Sequence, residues 1–212
     1  MRLRKFWLGS GCFLALVVGG LFWRSQTGTW ATGPRYRAAI AATVRETHTP
    51  VFDIVQGVPL RSTYYYRFSD RLSLDERQVF ETAVATYNQT GLVRLVPGRA
   101  TAAQNQITFT SYHQRRPGRQ PVELGHGGPV ITTRLTALGP RQTNRAEASL
   151  NTAYPQAIND AVATHELGHA LGLTHSRTAD SVMTAVSNGQ TELSAGDLAG
   201  LRAIYRPKPT TA

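Results

Sequence analysis

The sequence predicts one α+β domain behind an apolar N-terminal segment. Strand-like runs and one amphipathic helix succeed each other between residues 61 and 110 in the order strand, helix, strand, strand. Such an order suggests a sheet with the first helix on one face. Two more helical stretches close the chain between residues 159 and 205. Removing the first ~32 of 212 residues leaves roughly 180, enough for a single domain with a real core.

Arg2, Arg4 and Lys5 precede an uncharged run from Phe6 to Trp23. At ~1.5 Å per residue a helix over 6–23 would span ~27 Å, close to the hydrocarbon core of a bilayer. More positive charge lies before the run than after it, which keeps the N-terminus in the cytoplasm and sends the rest across. Residues 1–32 are therefore expected to comprise a basic tip, a single membrane segment over 6–23 and a linker. The alternative is a signal peptide cut after Ala31 and a secreted domain. Cys12 stands ahead of most of the apolar run, the wrong place for a lipid-modified cysteine.

Residues 33–60 read as a lead-in, either a spacer or part of the domain. Pro34 opens a short helix over 35–46, and Pro50 and Gly57-Val58-Pro59 break the rest into loop. The domain itself is expected over 61–207, with 208–212 as a tail. Ser62–Phe68 is rich in β-formers and predicts a strand. Ser73-Leu74-Asp75-Glu76 is a capping box, and Val79, Phe80, Ala83, Val84 and Tyr87 follow at helical spacing until Gly91. Leu92–Val96 and Gln106–Thr110 predict two further strands. Residues 111–128, with four glycines and two arginine-rich turns, read as loop.

The chemistry concentrates in His165-Glu166-Leu167-Gly168-His169-Ala170-Leu171-Gly172-Leu173-Thr174-His175. On a helix, His165 and His169 stand at i and i+4 and project from one face. Neutral imidazole is a good zinc ligand, and zinc prefers four tetrahedral positions. Gly172 can take the left-handed conformation that ends a helix and turns the chain back, bringing His175 in from outside. Three histidines leave a fourth position for water, the mark of a catalytic zinc site. Glu166 then stands beside the metal rather than on it, placed to act as general base. The chance of the whole five-residue pattern in a chain of this length is below about 1 in 10,000. An amphipathic helix with two exposed histidines would leave Gly172 and His175 unexplained.

With Met183 eight residues after His175, this stretch resembles the metzincin metallopeptidases, whose long zinc motif is followed by a methionine turn. The resemblance is greatest to the matrixins: Ser176 follows His175 as is usual there, and Leu193–Tyr205 is similar to their C-terminal helix. It covers roughly residues 61–206. It implies a twisted, mostly parallel five-stranded sheet, an active-site helix, Met183 as an apolar floor beneath the histidines, and a zinc endopeptidase activity on protein or peptide substrates. It also implies that Pro129–Thr133 is the edge strand over the cleft and Ala148–Thr152 the last strand before the active-site helix. A peptide could add to such an edge as a further strand. Thr184 and Ala185 stand where many matrixins have Tyr and Pro, so cleavage specificity is not carried over. Neither is a second zinc or a structural calcium: residues 111–128 contain no Asp, and His113, His126 and Glu123 read as loop residues. His48 reads as a surface residue.

Composition bounds the rest. The net charge is +10 and the pI about 10.5. No nucleic-acid motif accompanies that charge, so it reads either as attraction to an anionic cell-surface polymer or as a solvated basic face with no partner. Cys12 is the single cysteine, so the domain has no disulfide and no thiol to cap a zinc ion. The chain is expected to act as a monomer outside the cytoplasm. Two other readings stay open: an idle zinc fold serving as a cell-surface binding module, and a zinc hydrolase of a wall peptide or amide. An intact Glu166 weighs against the first.

Overall fold

The computed structural model describes residues 48–118, 122–137 and 139–205, and residues 12–16 as a backbone strand. The elements are β1 (Cys12–Leu16), β2 (Thr63–Phe68), α1 (Leu74–Gln89), β3 (Arg94–Pro97), β4 (Asn105–Tyr112), β5 (Val122–Gly128), β6 (Ile131–Thr136), β7 (Gly139–Asn151), α2 (Asp160–Leu171) and α3 (Ala195–Tyr205). The sheet runs β1-β5-β7-β4-β2-β3, with β6 paired to β7 alone. Strands β3, β2, β4 and β7 are parallel, and β5 is antiparallel to β7. These five form the mostly parallel sheet of an α+β fold.

Helix α1 begins where its capping box predicts. Glu76 N–H donates to Ser73 Oγ, and Ser73 N–H donates to Glu76 Oε2 at 2.6 Å. Its apolar stripe is buried, and Phe80 stacks on Phe109 of β4 with ring centroids 4.5 Å apart. The Tyr87 hydroxyl donates to the Thr164 carbonyl of α2, which ties the two helices together.

Three parts of the chain depart from the sequence reading. The edge strand over the cleft is β5, Val122–Gly128, not Pro129–Thr133. A Gly-His-Gly-Gly run has low strand propensity, but close packing of β5 on α2 leaves no room for side chains at Gly125 and Gly127. Residues 131–136 instead fold back on the first half of β7 as a hairpin. The second is the lead-in: of its two readings, spacer or part of the domain, the structure takes the second, and the domain boundary expected at 61 moves upstream. Residues 49–60 lie on the domain: Val55 and Leu60 are buried in its core, and Thr49 N–H donates to the Gly196 carbonyl of α3. The third is the segment 6–23. Its residues 12–16 are an extended strand antiparallel to β5, with Cys12 opposite Gly127 and Leu16 opposite Val122. An open sheet edge offers unpaired backbone groups, and an extended segment satisfies its own by adding there. The rest of 6–23, the helix expected over 35–46 and the tail 208–212 lie outside the described residues. Among the described residues no helix is long and apolar enough to cross a membrane.

A buried polar network fixes the end of α2 to the sheet. The last carbonyls of any helix lack intrahelical donors. The Tyr205 hydroxyl donates to the Leu171 carbonyl at 2.7 Å, and Asn144 Nδ2 donates to the Ala170 carbonyl at 2.9 Å. Tyr64 joins both, with its hydroxyl 2.9 Å from that of Tyr205 and 3.1 Å from Asn144 Nδ2. The Asn105 side chain accepts from the Asn144 backbone N–H and donates to the Arg61 carbonyl. Burial pushes the Tyr64 phenol up to about 12, so it stays a donor at any working pH.

Replacing Tyr205 by Phe should therefore cost about 1–3 kcal/mol, because it leaves the Leu171 carbonyl without a partner. Urea midpoints of the two proteins measure this; equal midpoints would show that the network adds nothing.

Candidate active site

Helix α2 starts at Asn159, whose Oδ1 accepts from Val162 N–H at 3.0 Å. Val162 through Leu171 are all buried, so this helix has no solvent face. It ends at Gly172, with φ of +110° and its N–H shared between the Gly168 and His169 carbonyls. The left-handed φ is what calls for glycine here; a Cβ would also press on the tip of the Ile204 side chain, 2.9 Å away. The chain then reverses. Leu173 bridges to Val51, and Thr174 N–H donates to the Pro50 carbonyl. That return delivers His175 to the face of α2 bearing His165 and His169.

The three imidazoles converge. A nitrogen from each lies within 4.8 Å of the other two, and the ring centroids are 4.5 to 5.3 Å apart. His165 Nδ1 lies 2.8 Å from the Val182 carbonyl, and His169 Nδ1 lies 2.8 Å from the Leu173 carbonyl. A carbonyl only accepts, so each Nδ1 carries the proton and each Nε2 presents a lone pair. All three Nε2 atoms are buried without a hydrogen-bond partner, as are both carboxylate oxygens of Glu166. Buried polar atoms without partners are rare in folded proteins. Three imidazole nitrogens brought together, two of them with the lone pair fixed by a carbonyl, are what a tetrahedral cation requires, and the donor set is that of zinc. Burial pushes His165 down to about 4, His169 well below its ordinary value, and His175 down as well. The imidazoles are thus neutral, the form that ligates. His113 and His126 do not join the cluster: His113 Nδ1 is exposed beside Thr152 Oγ1, and His126 lies on β5.

Met183 packs against α2 at Gly168. It is fully buried, and a Cβ placed at Gly168 would meet its sulfur. The turn around it is held from below by Asp197 of α3. That carboxylate accepts from Thr49 Oγ1, Ser181 Oγ, Val182 N–H, and both Ser194 N–H and Oγ. The same Val182 whose N–H meets Asp197 offers its carbonyl to His165. Helix α3 therefore positions the His165 imidazole through one residue of the turn.

Strand β5 forms the opposite wall, and its glycines were not legible as site residues. A Cβ at Gly125 would stand 2.5 Å from Glu166 Oε1, and one at Gly127 would meet the Glu166 carbonyl. The edge strand can approach α2 only because side chains are missing there. Glu123, also on β5, is buried and accepts from the Tyr112 hydroxyl at 2.8 Å and from Arg116 at 2.6 Å. Asn151 Nδ2 donates to the Glu123 and Gln114 carbonyls, and its Oδ1 accepts from Gln114 N–H. These bonds hold the segment entering β5. A Gly-x-Gly alternation in a strand next to a helix was the available signal.

A helix bearing two histidines, a left-handed glycine, a third histidine and a methionine turn beneath them define a metzincin-type zinc metallopeptidase. The matrixin family model matches residues 64–206, and the chain belongs to the matrixin family. Among solved structures it is similar to high choriolytic enzyme 1, a hatching-enzyme zinc-protease of the medaka fish Oryzias latipes. Identity to that protein is 15%, with a TM-score of 0.42 over 78% of this chain and 97% of that one.

The histidines set a pH dependence once metal is stripped with a chelator. His165 titrates near 6.5 when unfolded and about 4 when folded. Between those values the unfolded state binds more protons, so stability falls as pH drops from 6.5 toward 4. His169 and His175 act in the same direction. Urea midpoints of chelated protein across this range should decline toward acid; a flat profile would contradict burial of neutral imidazoles.

Proposed function

We propose that this matrixin is an extracytoplasmic endopeptidase in which Glu166 is the general base. In this reading the N-terminal segment leaves the β5 edge to hold the chain at the cell membrane, with the catalytic domain outside, and the substrate takes the place of residues 12–16 on that edge. One observation carries the catalytic part. The Glu166 carboxylate is fully buried, has no hydrogen-bond partner on either oxygen, follows His165 directly and packs under the bare backbone of Gly125. A structural carboxylate would be paired.

His165, His169 and His175 would hold zinc, which supplies Lewis acidity that acidifies a water and polarises a scissile carbonyl. Substrate binding falls to β5. Its outer edge takes an extended strand in antiparallel register, as residues 12–16 do, and a peptide laid there runs directly over Glu166. The ladder fixes the peptide backbone without regard to side chains, so binding alone is tolerant of sequence. Glu166 takes a proton from the attacking water and then delivers it to the nitrogen of the departing amine. Burial, and Glu123 after it, hold the Glu166 carboxyl well above its ordinary value. Beside a bound divalent cation Glu166 would instead favour the carboxylate form that a base requires.

Glu166→Gln should keep one zinc per chain and lose about 10²–10⁴ in kcat on a peptide library, since general base catalysis is worth about that much. Cleavage near the wild-type rate would remove Glu166 from the mechanism. His169→Ala should lose zinc by elemental analysis, and retained zinc would refute its role as a ligand. In Gly125→Ala the new Cβ should displace the carboxylate and lower kcat/KM by about 100-fold at unchanged zinc content. Unchanged kcat/KM would show that the close approach has no catalytic consequence.

A further inference from the structure

The β6–β7 hairpin serves no purpose in the site. Beyond Ile131 every residue of β6 is exposed, and β6 pairs with nothing but β7. From buried Thr143 the register runs outward through Thr133 opposite Gln142, Arg134 opposite Arg141, Leu135 opposite Pro140, and Thr136 opposite Gly139. Four steps of ~3.3 Å carry the tip roughly 13 Å beyond Thr143. The sequence from 135 to 140 contains no charge. Leu135 is 84% exposed.

Directly behind that tip two arginines face each other across the ladder. Like charges in directly opposed positions repel. Arg141 also shares a cleft of about 550 Å³ with Arg61, Pro59 and Pro140. No acidic residue occurs in the sequence between Glu123 and Glu147. In water, then, the hairpin holds two unfavourable features together: an exposed leucine at its end and an uncompensated arginine pair one step behind.

We infer that this hairpin docks on an anionic lipid surface. A membrane interface has the same order along its normal, with hydrocarbon inside and negatively charged headgroups outside it. Leu135 would enter the acyl boundary while Arg134, Arg141 and Arg61 lie at headgroup depth. A soluble polyanion would answer the arginines and leave Leu135 in water. The contact is separate from the N-terminal segment and independent of the catalytic reading. It would give the catalytic domain one orientation at the surface where an N-terminal tether alone would leave it free to turn.

The test places a probe on the tip of the full chain. In a Cys12→Ser, Leu135→Cys protein an environment-sensitive fluorophore is attached at 135, with the same fluorophore at exposed position 74 (Leu74→Cys) as the reference. On vesicles of phosphatidylcholine with phosphatidylglycerol the probe at 135 should brighten and be quenched by nitroxide-labelled lipid, while that at 74 stays in water. Adding Arg134→Gln and Arg141→Gln should weaken the vesicle titration on the order of 10-fold or more. Vesicle-bound chain whose probe at 135 remains in water, equal burial of both probes, or a titration unmoved by the arginine replacements would each overturn the inference. So would an equal response of the probe at 135 to soluble polyphosphate.

Discussion

Two hydrogen bonds organise this molecule: His165 Nδ1 to the Val182 carbonyl and His169 Nδ1 to the Leu173 carbonyl. Each fixes a tautomer and a ring orientation, and so aims a lone pair. Each also needs a backbone carbonyl at a set place beside a buried helix, and much of the fold provides those two carbonyls. Leu173 is in position because Gly172 turns the chain and Val51 bridges to Leu173 from the lead-in. Val182 is in position because Asp197 grips its amide from α3, with Ser181 and Thr49 on the same carboxylate. A segment some 130 residues upstream of the turn is thereby tied to it through Ser181 and Asp197.

The sheet and α3 do complementary work at the C-terminal end of α2. Asn144 and Tyr205 satisfy the terminal carbonyls of the helix, and Tyr64 and Asn105 hold Asn144 in turn. Buried polar groups of this kind are costly unless all are satisfied, and once satisfied they specify a single arrangement. Helix α2 is thus located along its axis by polar contacts and across it by apolar ones, with Tyr87 and Met183 meeting at Gly168. His165 and His169 ride on a helix that has little freedom to slide.

What the sequence made legible was local. The capping box at Ser73, the histidine spacing and the glycine stop at 172 all act over a few residues, and each is visible in the structure. Long-range packing hid the rest. Nothing near Thr49 announces that its hydroxyl meets Asp197, so the lead-in looked like a possible spacer. Gly125 and Gly127 looked like loop because strand propensity is read residue by residue, whereas their reason is a helix some forty residues later. That misreading moved the expected edge strand to 129–133 and concealed the hairpin. Residues 12–16 belong to an apolar run whose length suits a membrane helix, and only an open sheet edge gave them another way to satisfy their backbone.

The glycines of β5 also set the dimensions of the cleft. Where strand and helix meet at Gly127, backbone rests on backbone, with no rotamer between them. A cleft lined by side chains can be widened or narrowed by substitution and blurred by thermal rotamer exchange. Here the separation is a van der Waals distance that neither can adjust. The floor of the cleft is therefore effectively a constant of the fold, and any diversity in what it accepts has to be written into the loops around it.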